Sequence, residues 1–207
     1  DVAADDLGML AEADLVVLAA PVEANLAVLP RLETHVAGEA LVTDVGSTKR
    51  AMVEAARSLP ARLRFVGGHP FAGAARAGIE HGAPEMFHGR PWLLTPDAGT
   101  PGDILTRVSN FVAALGAVPR VMTADEHDRL MAVLSHLPQL TASALMDVVG
   151  EWAGDEGLAL AGRGLRDTTR LASSPGHVWA DVCATNADHL GEALDALIAV
   201  LRTLRVG

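Results

Sequence analysis

The sequence has little that could cross-link the chain or attach it to a membrane. Cys183 is the only cysteine among 207 residues, so an internal disulfide is excluded, and one cysteine cannot by itself form a structural zinc site. No apolar run reaches the roughly 18 residues that spanning a bilayer requires. Residues 1–6 are acidic or apolar, whereas a signal peptide begins with basic residues. We therefore expect a soluble cytoplasmic protein.

Positive charge is also scarce, with 16 Lys and Arg against 26 Asp and Glu and a formal net charge of −10. Phosphate backbones and anionic lipids bind basic surfaces, so we expect no nucleic-acid partner and no membrane partner. An acidic protein that binds an anionic substrate must concentrate its few cations at the site. Clustered Arg and His residues are therefore the first candidates for a functional site.

The hydrophobic pattern divides the sequence after residue 122. Before that point, short apolar runs alternate with helical stretches, which predicts a parallel α/β sheet. The run at residues 15–20 is typical of a strand buried on both faces. Further strands are expected at 40–44, 63–66, 92–95 and 117–122, and helices at 22–36 with a break near Pro30, at 49–58 and at 104–115.

From residue 124 onward the pattern is helical. Residues 124–149 are predicted as one long helix interrupted by Pro138, followed by helices near 158–161, 165–171, 177–190 and 192–204. Towards the end of the sequence leucines recur at helical spacing and predict a buried stripe: Leu190, Leu194, Leu197 and Leu201. So much apolar helix favours a homodimer, although a monomeric bundle explains the same pattern.

The sequence lacks a phosphate-binding turn. A doubly wound sheet normally opens with a strand, a Gly-rich turn and a helix that together hold a pyrophosphate. Here the first predicted strand begins near Asp14, and G-x-G-x-x-G occurs nowhere in the sequence. We therefore expect that an N-terminal segment of about two strand–helix units, roughly 30 residues each, is missing from it.

Two polar segments follow predicted strands, and ligands bind at the carboxyl ends of such strands. Ser47 lies after the second strand, within Asp44–Lys49, and His69 lies after the third, within Gly67–Pro70. The two glycines are expected to turn the backbone sharply and aim the imidazole out of the sheet edge, where it can accept a proton near neutral pH. The alternatives are a helix cap by Ser or Thr and a structural loop histidine.

Three arginines in the helical region fall at helical spacing: Arg163, Arg166 and Arg170. On one helix face they could grip a carboxylate, although a solvated face paired with Asp167 explains them equally well.

A second polar cluster, Asp125–Arg129, leads towards His136. Thr123 or Asp125 is a plausible helix cap, and packing is the more common role for such a cluster. The spacing of His127 and His136 is not that of a zinc-binding helix, so we expect no metal site.

Six motifs in this order resemble the prephenate and arogenate dehydrogenases of tyrosine biosynthesis, over essentially the whole chain. They are DVGSTK at 44–49, GHPFAG at 68–73, FHGRPW at 87–92, EHD at 126–128, SHLP at 135–138 and RDTTR at 166–170. The resemblance implies a partial Rossmann domain over residues 1–122 and a helical substrate and dimerisation domain over 123–207. It also implies oxidative decarboxylation of prephenate to 4-hydroxyphenylpyruvate, or of arogenate to tyrosine, with hydride transfer to NAD or NADP.

The resemblance also assigns roles to residues. His69 would accept the proton of the substrate's ring hydroxyl, and Ser47 would hold that hydroxyl and orient His69. Many relatives carry a histidine in place of Gln139, which leaves the choice of substrate and inhibition by tyrosine open. The expected substrate-binding residues are Arg170, Arg166, His136 and Gln139, and the expected cofactor contacts are Ala19, Pro21, Val45 and Asp44.

Two other functions are compatible with the same plan. A β-hydroxyacid-type dehydrogenase would use a catalytic lysine from its helical domain, but residues 124–207 contain no lysine. A non-catalytic dimer module that binds an aromatic acid would fit the absent phosphate-binding turn.

Overall fold

A five-stranded sheet forms the first part of the chain in the computed structural model, which describes residues 7–72 and 82–206. The order of strands in the sheet is β1-β2-β3-β4-β5. The first three are parallel, β4 runs antiparallel to β3, and β5 is parallel to β4. The strands are β1 (Leu15–Leu18), β2 (Ala40–Asp44), β3 (Leu63–Pro70), β4 (Pro91–Thr95) and β5 (Val118–Val121).

The expectation of an entirely parallel sheet is wrong at the step from β3 to β4. Parallel neighbours need a crossover connection, usually a helix. In the described part of this connection, the only helix is the one-turn 3-10 helix Pro84–Phe87. Apart from this step, the predicted fold class is confirmed: a Rossmann-type α/β sheet followed by a helical region.

Helices cover both faces of the sheet because β2 sends alternate side chains to opposite sides. Ala40 and Val42 belong to a core that includes residues of α1, α2 and α3, whereas Leu41 packs in a second core with α4. The 3-10 turn Leu29–Arg31 separates α1 from α2, which confirms the predicted break at Pro30. These helices are α1 (Val22–Val28), α2 (Leu32–His35), α3 (Arg50–Ala56) and α4 (Gly102–Ala114).

Burial on both faces is a property of β2 and not of β1. All five residues of β2 are buried, but Val17 in β1 is 39% exposed between the buried Val16 and Leu18. In the described sheet β1 pairs only with β2 and lies at the edge. The prediction that residues 15–20 form a doubly buried strand is therefore wrong in this respect.

The glycines before His69 allow close packing and do not turn the chain. Gly67 and Gly68 continue β3, where they pair with Thr95 and Leu94 of β4, so the expected sharp turn is wrong. A Cβ atom on Gly68 would lie 2.5 Å from the carbonyl oxygen of Asp44, and one on Gly67 would lie 2.3 Å from Thr95 Oγ1. His69 is consequently a strand residue that lies one position beyond a very close contact between β2 and β3.

In the described residues after the sheet there are five α-helices, and the boundary between the two compact units falls after Asp128, inside the first of them. The predicted interruption at Pro138 occurs one turn earlier, as a π-helical turn at Ala132–His136. Pro138 itself lies in the first turn of the next helix, where a missing N–H is tolerated. The helices are α5 (Ala124–Met131), α6 (Leu137–Leu158), α7 (Arg163–Thr169), α8 (Gly176–Thr185) and α9 (Ala187–Val206).

Two helix boundaries in this second unit differ from the prediction. Residues 158–161 form the end of α6 and a turn, and the break between the last two helices falls at Asn186. The leucine stripe of α9 is buried only at its start, because Leu190 is 3% exposed and Leu201 is 53% exposed. Near its carboxyl end, α9 therefore presents apolar side chains at its surface.

We expect Gly68→Ala to destabilise the first unit by about 1–3 kcal/mol, because the added methyl group overpacks the β2–β3 contact. Gly38→Ala is the matched control, since a Cβ atom at Gly38 meets nothing within 4 Å. Urea unfolding followed by the fluorescence of the buried Trp92 measures both changes. Equal stability of the two variants would contradict the packing role given to Gly68.

Candidate active site

A buried ion pair joins the ends of β2 and β3. The side chains of Lys49 and Asp44 are both fully buried and form an ion pair. Lys49 Nζ also donates to the carbonyl oxygen of Gly68 at 2.8 Å. Asp44 accepts from the backbone N–H groups of Gly68 at 3.0 Å and Gly46 at 2.9 Å. These bonds fix the backbone next to His69.

His69 and His127 form a direct side-chain contact within the first unit. His69 Nδ1 lies 2.8 Å from His127 Nε2, and the other ring nitrogen of His127 lies 2.8 Å from Asp128 Oδ1. His69 is half-buried, whereas His127 and Asp128 are fully buried. Three side chains thus form a chain of hydrogen bonds that runs from the interior to a partly exposed imidazole.

The carboxylate of Asp128 also anchors the start of α3. Its Oδ1 accepts from the backbone N–H of Lys49 at 2.7 Å, and its Oδ2 accepts from the backbone N–H of Arg50 at 2.9 Å and from Arg50 Nε at 3.4 Å. Unpaired N–H groups at a helix N-terminus favour a negative charge. The chain of hydrogen bonds is therefore tied to the same turn that carries Lys49.

Burial and pairing act in opposite directions on the charged groups of this cluster. Burial lowers the pKa of Lys49, and the neighbouring Asp44 carboxylate offsets only part of that effect. Burial likewise lowers the pKa of His127, and its hydrogen bond with Asp128 opposes this. Although burial alone would raise the pKa of Asp128, its bonds with His127 and two backbone N–H groups bring it below the usual value. Near neutral pH we therefore expect a neutral His127 beside an ionised Asp128.

The residues predicted to contact the cofactor lie at the ends of β1 and β2. Ala19 and Pro21 are exposed and Val45 is half-buried. The buried Asn25 side chain bonds both the N–H and the carbonyl of Ala20, at 3.1 and 2.8 Å, and so fixes this turn. Asp44 is different, because its carboxylate is buried and bonded to protein donors. We assign it to support of the site and not to direct contact.

Ser47 lies half-buried in the turn between β2 and α3. The paired strands β2 and β3 bring this turn and His69 to the same region of the first unit, as expected from the sequence.

Thr123 caps α5 in a reciprocal arrangement with Glu126: Thr123 Oγ1 accepts from the Glu126 N–H at 3.1 Å, and Glu126 Oε2 accepts from the Thr123 N–H at 2.9 Å.

The predicted substrate-binding residues lie in the second unit and fall into two groups. Arg166 and Arg170 are exposed, with Arg166 on α7 and Arg170 at the start of the following 3-10 turn, so one α-helix does not carry all the predicted arginines. His136 and Gln139 are only 1% and 3% exposed. His136 Nδ1 contacts Asn186 Nδ2 at 3.3 Å, and Gln139 Nε2 donates to the carbonyl of Leu171 at 2.8 Å.

Sequence reasoning did not select Lys49, His127 or Asp128 as site residues. One signal was available: Lys49 is the only lysine in the sequence, beside fifteen arginines. Its fully buried position needs a compact cation, which an arginine does not provide. No comparable signal marks His127, because its partner His69 is 58 residues away in the chain.

Both parts of the chain match family models of one enzyme. Residues 1–121 match the nucleotide-binding domain of prephenate dehydrogenase, and residues 123–206 match its dimerization domain. The chain belongs to the prephenate dehydrogenase family. The family resemblance expected from the sequence is thus confirmed.

Two curated members of the prephenate dehydrogenase family align with nearly the whole chain. Prephenate dehydrogenase of Bacillus subtilis (strain 168) is 34% identical over 201 residues, which are 94% of this chain and 53% of that protein. Cyclohexadienyl dehydrogenase of Zymomonas mobilis is 32% identical over 198 residues, which are 94% of this chain and 67% of that protein. The chain therefore spans about half to two thirds of the length of these two relatives.

Solved structures of the family share the fold. Prephenate dehydrogenase from A. aeolicus, in complex with hydroxyphenyl propionate and NAD+, matches with a TM-score of 0.89 at 29% identity, over 98% of this chain and 72% of that chain. Synechocystis arogenate dehydrogenase matches with a TM-score of 0.82 at 32% identity, over 98% of this chain and 74% of that chain.

Within the described residues of our chain, no helix is long and apolar enough to cross a membrane.

We expect His127→Gln to remove part of the acid sensitivity of the fold. The folded-state pKa of His127 is lowered, so the unfolded chain binds more protons between that pKa and about 6.5. The stability from His127 is therefore present above about pH 6.5 and is lost as the pH falls through this window, by at most about 1.4 kcal/mol per pH unit. Urea unfolding on both sides of pH 6.5 measures the slope. Parallel curves for the two proteins would contradict a neutral, buried His127.

Proposed function

We propose that the protein oxidises and decarboxylates prephenate or arogenate, with hydride transfer to NAD or NADP. The observation that carries this proposal is the partly exposed His69 at the end of β3, held by the buried His127 at 2.8 Å in a member of this family. A half-buried imidazole with a fixed orientation suits general base catalysis near neutral pH. Family membership supports the choice of substrate class.

In this proposal His69 handles the proton of the substrate's ring hydroxyl. His69 accepts that proton as a hydride leaves the carbon that bears the hydroxyl group. The ring carboxylate then leaves as carbon dioxide, its bonding electron pair enters the ring, and the aromatic product forms. His69 returns the proton to the phenolate oxygen. Ser47, in the turn after β2, holds the same oxygen and limits its position relative to the imidazole.

The surface at the ends of β1 and β2 fits the nicotinamide part of a dinucleotide. Ala19 and Pro21 are small, exposed and apolar, and Asn25 fixes the turn that carries them. A flat ring can pack against such a surface without displacing side chains. When bound, the nicotinamide ring accepts the hydride. Ala19, Pro21 and Val45 are the residues that we assign to this contact.

Anion binding is assigned to the exposed arginines of the second unit. Arg170 is the residue that we assign to a substrate carboxylate, because a guanidinium group can bind a carboxylate with two parallel hydrogen bonds. Arg166 adds a second exposed positive charge to the same region of the sequence. Both substrates carry the ring carboxylate and a side-chain carboxylate, so this assignment does not depend on which is used.

The β-hydroxyacid alternative has no support from the lysine of this chain. A catalytic lysine must reach the substrate, whereas Lys49 is fully buried and paired with Asp44. The non-catalytic alternative predicts binding of an aromatic acid without any oxidation.

One assay separates these functions: the full-length protein is incubated with prephenate or arogenate and with NAD or NADP, and the absorbance of the reduced cofactor is followed. Adding tyrosine to the same assay tests feedback inhibition.

We expect His69→Asn to lower kcat by roughly 10²-fold or more, because asparagine cannot accept the hydroxyl proton. His35→Asn is the matched control, since His35 lies in the last turn of α2 and has no assigned role. The absorbance assay on full-length protein measures both variants. Turnover of the His69 variant within about twofold of the wild-type value would remove His69 from the mechanism.

We also propose that two copies associate through the second unit. Large apolar side chains are exposed on α6 and α9, including Trp152 at 86%, Leu204 at 72% and Leu201 at 53%. Exposed apolar patches of this kind mark interaction surfaces.

We expect Leu204→Glu to convert the dimer to a monomer in sedimentation velocity, and Ala199→Glu, on the other side of α9, to leave it intact. A monomeric wild-type protein would contradict this.

A further inference from the structure

The buried His127–Asp128 pair contacts the proposed base His69, but its effect on the protons of that ring is not part of the mechanism given above. Its two members are adjacent in α5, and both are fully buried. A buried pair of this kind can determine where the protons of a neighbouring imidazole lie, since the hydrogen bond at one ring nitrogen fixes the state of the other. In this site, the pair can determine which nitrogen of His69 carries the proton.

The protons can be assigned outward from Asp128. An ionised carboxylate only accepts hydrogen bonds, so His127 Nδ1 must donate the bond of 2.8 Å to Asp128 Oδ1. A neutral His127 then has its lone pair on Nε2, and this nitrogen must accept. Its partner at 2.8 Å is His69 Nδ1, which must therefore carry a proton. The neutral His69 ring then has its lone pair on Nε2.

We propose that His127 and Asp128 are positioning residues that fix this tautomer of His69 and make Nε2 its proton-accepting atom. They also hold the imidazolium ion that forms when Nε2 accepts the substrate proton, because its Nδ1–H is already bonded to His127 and, through His127, to a carboxylate. This inference rests on the proposed role of His69 as a base and adds which ring nitrogen accepts the proton. The arrangement follows the logic of a base oriented by a third group.

The other charged groups near the pair are compatible with this assignment. Lys49 and Asp44 form their own buried ion pair, and their charges oppose each other. Arg50 bonds Asp128 Oδ2 and also lies 3.7 Å from Asp125, which is on the exposed side. The backbone N–H groups of Lys49 and Arg50 complete the bonds to Asp128. These donors from Lys49 and Arg50, like His127, keep the carboxylate of Asp128 in the acceptor role.

Two substitutions of His127 separate positioning from packing. His127→Leu removes the acceptor for His69 Nδ1, and we expect kcat to fall by roughly 10²-fold, with a much smaller change in KM. His127→Gln places an amide oxygen where it can accept the same bond, and we expect it to recover most of that loss. The acid limb of the kcat/KM profile is expected to move to lower pH in the Leu variant, because the imidazolium ion loses its support. His35→Leu serves as the control and should keep the wild-type values.

Nitrogen NMR of the histidine rings tests the tautomer without any need for activity. In the wild-type protein at neutral pH, the His69 signals, assigned with His69→Asn, should show a protonated Nδ1 and an unprotonated Nε2. In His127→Leu they should show a mixture of tautomers. A proton on Nε2 in the wild-type protein, or an unchanged His69 ring in His127→Leu, would overturn the inference.

Failure of the tautomer inference can be distinguished from failure of the proposed function. If the wild-type protein oxidises neither substrate, the proposed activity fails, and the NMR spectra still decide whether His127 fixes the tautomer. If Leu and Gln at position 127 give the same kcat, the pair acts only through packing and the inference is wrong.

Asp128→Asn gives an independent check, because a neutral amide no longer forces His127 Nδ1 to be the donor. Its expected loss in kcat is also roughly 10²-fold.

Discussion

The buried interaction of Lys49 with Asp44 is the constraint on which the rest of the site depends. Both side chains are fully buried, and each also bonds to Gly68, the residue before His69. Removing one partner would leave the other charge buried without compensation, at a cost of about 3–5 kcal/mol. The pair therefore holds the end of β2 against β3, where the absence of side chains at Gly67 and Gly68 permits the contact.

A second set of bonds connects this pair to the proposed base. Asp128 accepts from the backbone of Lys49 and orients His127, which in turn holds His69. Residues from β2, β3, α3 and α5 thus form one hydrogen-bonded network inside the first unit. Because the interior of a protein is a poor solvent for charge, these hydrogen bonds hold the buried groups in one geometry. A base that is fixed before substrate binds needs little reorganisation during the reaction.

Local patterns in the sequence predicted much of the fold but, of this network, only His69 and, in a different role, Asp44. The strands, the break at Pro30 and the place of His69 follow from periodicity and composition. The antiparallel step to β4 and the packing role of Gly68 do not, because both depend on which strands become neighbours. His127 and Asp128 resembled an ordinary charged helix start, since their role comes from contacts with residues about 60 to 80 positions earlier in the chain. Lys49 was predictable only in part, through its being the single lysine.

We expect the buried network to act through His69 and not in parallel with it. The most direct test is a double-mutant cycle on kcat/KM with His69→Asn, His127→Leu and the double variant. If His127 works only by positioning His69, its removal has no further effect once the base is gone, and the double variant equals His69→Asn alone. Losses that multiply, so that the double variant is lower than His69→Asn by the full factor seen for His127→Leu, would show that His127 acts independently of His69.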